Sequence, residues 1–122
     1  MDKSQALNEF WSSFGIPAYD TNTVPDDAVM PYITYETGLD SIDNQIPLTA
    51  SIWYRQLSWE DISKKAEQIA KYLQDINPIS KKIEGGRMYI SRGFPFAQRM
   101  SDDDDMVRRI VLNITVEFFT AY

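Results

Sequence analysis

The chain has 122 residues, enough for one domain around one core, and 43% of them are hydrophobic, which suits a folded globule rather than a disordered segment. It contains neither cysteine nor histidine, which excludes internal disulfides, thiolate metal sites, His-ligated zinc and every catalytic triad built on histidine. The formal net charge of -6 argues against nucleic-acid binding by charge alone.

Residues 2–15 read as a first helix. Leu7, Phe10, Trp11 and Phe14 recur at spacings of three and four, and Gly15 closes the segment. That aromatic face is expected to pack on a sheet, with a subunit contact as the alternative. Residues 16–30 show no period and contain Pro17 and Pro25, so they read as a loop. It is long for a compact domain, which hints at a role beyond connection. Residues 32–36 are rich in β-formers and read as a strand, followed by a polar turn region over residues 38–47.

Residues 48–55 alternate. Leu48, Ala50, Ile52 and Tyr54 point one way, and Thr49, Ser51, Trp53 and Arg55 the other. Trp53 beside Arg55 on a polar face is either an interface anchor or a cover for the outer face of the sheet.

The plainest signal runs over residues 58–77. Ser58 and Asp61 have the spacing of a capping box, and Ile62, Ala66, Ile69, Ala70, Leu73 and Ile76 share one face of a helix. Asn77-Pro78 stops it, because the residue before a proline avoids the helical region. Residues 79–84 read as a short strand, Gly85-Gly86 as a turn, and residues 87–91 as a strand with Met88 and Ile90 on one side.

Residues 92–106 break the alternation with Gly93, Pro95, Ser101 and the run Asp102, Asp103, Asp104, Asp105, and are expected to be a loop. Phe94 and Phe96 within it either fold back onto their own core or dock on a neighbour. The last segment is the strongest strand: Ile110, Leu112, Ile114, Val116 and Phe118 line one face. The expected architecture is a single α+β domain over residues 1–122. It has a mainly antiparallel sheet of four to five strands, with two helices packed on one face. The other face, with Trp53, Arg55, Thr115 and Glu117, is left to solvent or to another subunit.

The acid is unevenly placed. Residues 16–30 carry three Asp and no cation, residues 38–46 carry Asp40 and Asp43, and residues 92–106 carry four Asp against Arg92 and Arg99. These give -3, -2 and -2, so the rest of the chain sums to +1. Such loops serve solubility or face another polyanion.

The Asp run lacks the alternating ligands, central Gly and closing Glu of a Ca²⁺ loop, and no glycine-rich phosphate loop is present. Ser63-Lys64 and Ser80-Lys81 are adjacent pairs, and neighbours on a helix point in different directions. The sequence thus points to no catalytic residue, cofactor or metal. Asn113-Ile114-Thr115 matches a glycosylation sequon inside an expected strand and reads as chance. No apolar run approaches the ~20 residues that span a bilayer, and residues 1–14 lack the pattern of a signal peptide, so a cytoplasmic protein with no membrane role is expected.

Several stretches resemble the small tail terminator (tail-completion) proteins of long-tailed bacteriophages and prophages. They are residues 10–19 (FWSSFGIPAY) with Val24-Pro25, residues 31–36 (PYITYE), residues 51–55 (SIWYR) with Ser58-Trp59, residues 92–100 (RGFPFAQRM) and residues 105–110 (DMVRRI). The likeness is one of pattern, size and order over nearly the whole chain. It implies a ring, typically a hexamer, that caps the finished tail tube, ends its polymerisation and offers a surface to the head-side connector protein. Its partners would be copies of itself, the tail tube protein and that connector, with DNA only as passing cargo. Its place would be the host cytoplasm during assembly and then the virion tail. A head-to-tail ring needs two different patches per subunit. The candidates are Trp53 and Arg55 on the outer face, and Arg92, Phe94, Phe96 and Arg99 in the loop. Asp102, Asp103, Asp104 and Asp105 are the candidate lumen-facing surface, repelling DNA. The alternative reading is another phage neck protein, such as a head-closure factor, or a small protein-binding module.

Overall fold

Alternation of apolar residues builds the middle of the molecule. In the structure, a computed structural model that describes residues 1–38 and 45–120, the longest unbroken pairing joins β3 (Ile46–Arg55) to β6 (Val107–Phe119), antiparallel from Ile46 opposite Val116 to Arg55 opposite Val107. Leu48, Ala50 and Ile52 on β3 and Ile110, Leu112, Ile114, Val116 and Phe118 on β6 are all buried in one cluster. β6 is therefore a central strand, as its five alternating apolar positions require.

Around this pair the chain adds α1 (Lys3–Ser12), β1 (Ala18–Asp20), β2 (Tyr32–Tyr35), α2 (Glu60–Asp75), β4 (Ile79–Ile83) and β5 (Gly86–Met100). The sheet has six strands in the order β1-β2-β3-β6-β5-β4, not four to five. It is antiparallel except for β1 and β2, which run parallel with Ala18 opposite Ile33. The extra strand, β1, is three residues long and lies between Pro17 and the turn at Asp20, too short to show a period. Most of the polar turn region, with Asp40 and Asp43, lies outside the described residues.

The segment 92–106 is also not a loop throughout. β5 continues to Met100, and the register slips between Arg92 (opposite Ile114) and Ala97 (opposite Leu112). Five steps along β5 thus match two along β6, a bulge that holds Gly93, Phe94, Pro95 and Phe96 and resets the alternation. Asn113 secures it by donating from Nδ2 to the Pro95 carbonyl at 2.7 Å. Gly93 is needed there, because a Cβ would lie 2.8 Å from the Asn113 carbonyl carbon.

Both helices feed the same core. α2 buries Ile62, Ala66, Ile69 and Leu73 against β3, β5 and β6, while Ile76, one residue beyond the helix, is 47% exposed. The capping box expected at Ser58 is not formed. Trp59 occupies the N-cap position, Ser58 Oγ accepts from the Glu60 amide at 3.0 Å, and Asp61 turns instead to Gln56 Nε2. The box is at α1, where Asp2 accepts from the Gln5 amide at 2.8 Å and Gln5 Oε1 accepts from the Asp2 amide at 2.9 Å.

α1 touches both β1 and β4, the two edges of the sheet, which curls around it. On the β1 side, Asn8 Nδ2 donates to Tyr35 Oη at 2.9 Å and to the Ala18 carbonyl at 3.4 Å. On the β4 side, Glu9 pairs with Lys81, and the Glu84 amide donates to the Met1 carbonyl at 2.8 Å. Between them Leu7, Phe10 and Trp11 are fully buried. The helix closes what would otherwise be an open, half-curled barrel.

Candidate interaction surface

The residues singled out by the sequence lie on one half of the sheet, at the end where β5 turns into β6. They do not form one patch. Trp53 is half-buried on the outer face. Its Nε1 donates to Thr34 Oγ1 at 2.9 Å, and the Arg109 guanidinium lies 4.7 Å from its ring centroid while donating from Nε to Ser51 Oγ at 3.0 Å. This Trp thus has one partner on its face and another on its edge within its own sheet.

Arg55 extends from the end of β3 to Asp104, with Nη1 3.1 Å from Oδ2. One candidate interface residue is therefore paired with one candidate lumen residue. The Asp run is a tight turn between β5 and β6. The Asp104 amide donates to Asp102 Oδ2 at 3.0 Å, the Met106 amide to Asp104 Oδ1 at 2.9 Å, and the Val107 amide to the Asp104 carbonyl at 3.0 Å. The Met106 amide, with help from the Arg55 guanidinium, holds the Asp104 carboxyl below its usual range. All four Asp are exposed. Among the described residues no three carboxylates converge to hold a metal ion.

The bulge separates the two Phe residues. Phe96 is buried, with the Arg92 guanidinium 5.2 Å from its ring centroid. Phe94 stands fully in solvent at 101% exposure. Only one of the pair is thus available to a neighbour, and sequence spacing had no means of saying which. Arg99 lies over Trp59, its guanidinium 4.8 Å from the ring centroid, and Arg108 approaches the same ring at 5.4 Å. Arg108 also donates to the Leu57 carbonyl at 3.0 Å, tying the start of α2 to the base of the Asp turn. Trp59, Arg108 and Arg109 stand in stretches that carry the family resemblance but were not among the candidate interface residues, because their stacking joins segments far apart in the chain.

The distal part of β5, Ala97 to Met100, is exposed along its whole length and pairs only with β6, since β4 stops opposite Gly86 to Ile90. Next to it Leu57, Met100 and Met106 are 66%, 43% and 42% exposed. This end of the sheet therefore combines an unpaired strand edge, a projecting ring, exposed apolar side chains and a Trp59 ring flanked by two arginines. Its groove, lined by Leu57, Trp59, Met100, Asp105 and Arg108, is open to solvent rather than enclosed, so the surface suits another protein better than a small molecule. No family model, no curated protein and no solved structure matches this chain. Among the described residues no helix is long and apolar enough to cross a membrane.

Proposed function

We propose that this chain is a ring-forming virion assembly protein of the tail-terminator type. It caps the end of a phage or prophage tail tube, stops the tube from growing and presents a joining surface to the head side. The observation that carries this reading is Phe94, a fully exposed ring on a strand edge that has no neighbour along Ala97 to Met100. A ring and an open edge left in water have a cost that docking removes. The likeness of residues 92–100 (RGFPFAQRM) and residues 51–55 (SIWYR) to that family supports the same reading.

In this role the chain makes and breaks no bonds. Its partners are copies of itself in a ring, the tail tube protein and a head-side connector. DNA passes through without binding. The test is tube growth in vitro. Purified tube protein polymerises with and without this chain, and the products are imaged. The expected result is tubes of reduced length with extra density at one end. Tubes of unchanged length and bare ends, with the chain in excess, would sink the reading.

A further inference from the structure

The two edges of the sheet carry opposite charge. Residues 17–37, which hold β1, β2 and the segment between them, contain Asp20, Asp26, Asp27 and Glu36 and no Lys or Arg, a charge of -4. Residues 79–100, which hold β4 and β5, contain Lys81, Lys82, Arg87, Arg92 and Arg99 against Glu84 alone, a charge of +4. We propose that copies of this chain join head to tail, with the basic edge of one copy around Arg92, Phe94 and Arg99 seated on the acidic edge of the next around Asp20, Asp26 and Asp27. This rests on the reading of the chain as a ring-forming protein and names the two patches that form the ring.

The register sets the start of β1, beside the acidic patch, and Arg99, in the basic one, at the two ends of one row. Ala18 lies opposite Ile33, Ile33 opposite Ile52, Ile52 opposite Ile110 and Ile110 opposite Arg99. That row crosses the sheet from edge to edge in four steps, about 19 Å at ~4.8 Å per step. Along the curled sheet this path is about twice the ~10 Å reach of exposed charges at moderate salt, so each edge presents its own sign to a neighbour.

Each patch also carries an apolar side chain that lacks cover. Phe94 is 101% exposed on the basic side, and Val29 is 78% exposed beside Asp26 and Asp27 on the acidic side. An apolar anchor inside a charged rim is the usual composition of a specific contact. The contact is made by side chains and does not extend the sheet. The outward carbonyls of β1 are already used, that of Ala18 by Asn8 Nδ2 and that of Asp20 by the Thr23 amide. Because the two patches differ, the contact is heterologous, and repeating it closes a ring if the rotation allows.

The experiment is a charge swap read by sedimentation of the purified chain. One variant carries Asp26→Lys and Asp27→Lys, and the other carries Arg92→Glu and Arg99→Glu. The wild type is expected to self-associate, more weakly as salt rises. The first takes the acidic edge from -4 to 0 and the second takes the basic edge from +4 to 0, so each variant alone loses the match of opposite charge and should associate at least about tenfold more weakly. Their equimolar mixture should recover wild-type association, which also shows that both are folded. Phe94→Ala, at a position with no core contact, should weaken association without changing stability. A wild type that stays monomeric at about millimolar concentration in low salt would overturn the proposal. So would variants that assemble like the wild type, or a mixture that fails to recover. Tube capping is scored separately. A failed swap with intact capping removes this contact alone, and a successful swap without capping removes the tail role alone.

Discussion

Asp20 shows how a single side chain links this fold to pH. Its Oδ2 accepts from Thr37 Oγ1 at 2.6 Å and its Oδ1 from the Asn22 amide at 2.8 Å. The Thr37 hydroxyl, then the Asn22 amide, lower its pKa from the ordinary value of 3.8. A carboxyl whose folded pKa lies below its unfolded value adds stability above the unfolded value, and that contribution disappears as pH falls through the folded one. Thr37→Val should therefore lower stability at about pH 7, and the gap to wild type should narrow as pH falls below 3.8. Urea midpoints at neutral pH and along an acid series measure it. A gap that persists unchanged into acid would mean that Thr37 acts through packing and not through the Asp20 charge.

Among the elements, α1 has the largest structural role for its length. It is 10 residues long, below the length at which a helix is stable alone, yet it contacts both edges of the sheet. Its capping box at Asp2 and Gln5 is thus expected to act on the whole molecule. Asp2→Ala should cost about 1 kcal/mol in urea unfolding, within one cooperative transition. An early, separate loss of helix signal would show instead that α1 frays without opening the sheet. The same pattern of cap and partner three residues later occurs at Ser58 and Asp61, where it is not used. There the chain arrives from β3 with Arg108 holding the Leu57 carbonyl and Asp61 drawn to Gln56. One bond five residues back along the chain and one from a distant strand have displaced the capping box, and the cap spacing alone predicts neither.

The same contrast explains what the sequence shows of the rest. α2, β3 and β6 are long and periodic, so burial follows their pattern, apart from Ser51, which is buried on the outer face beside Arg109. β1 has only three residues, and the distal half of β5 follows a bulge that shifts the phase. Alternation could not be followed across either. The interaction surface was legible in its parts, since Phe94, Phe96, Arg92 and Arg99 stand out in an irregular segment. Their fates were not. The bulge decides that Phe96 goes inward and Phe94 outward, and Trp59 draws Arg99 to a helix more than 30 residues earlier in the chain.

For the whole molecule, the question is which part of a negative chain would line a passage for DNA. The Asp turn, from Asp102 to Asp105, is the densest charge in the sequence, and two of its carboxylates also shape the turn through backbone amides. Asparagine accepts the same hydrogen bonds without the charge. Replacing all four Asp by Asn should therefore keep the turn and lower thermal stability only slightly, through loss of the exposed Arg55–Asp104 pair. If the turn faces the lumen of a ring, losing its charge removes like-charge repulsion acting within about 10 Å at moderate salt. Passing DNA should then be retained, and infectivity of particles built with the variant should fall while their tails still close. Particles of full infectivity would place the Asp turn on the outside of the ring, and the acidic edge at Asp26 and Asp27, buried between copies by the head-to-tail contact, could not replace it.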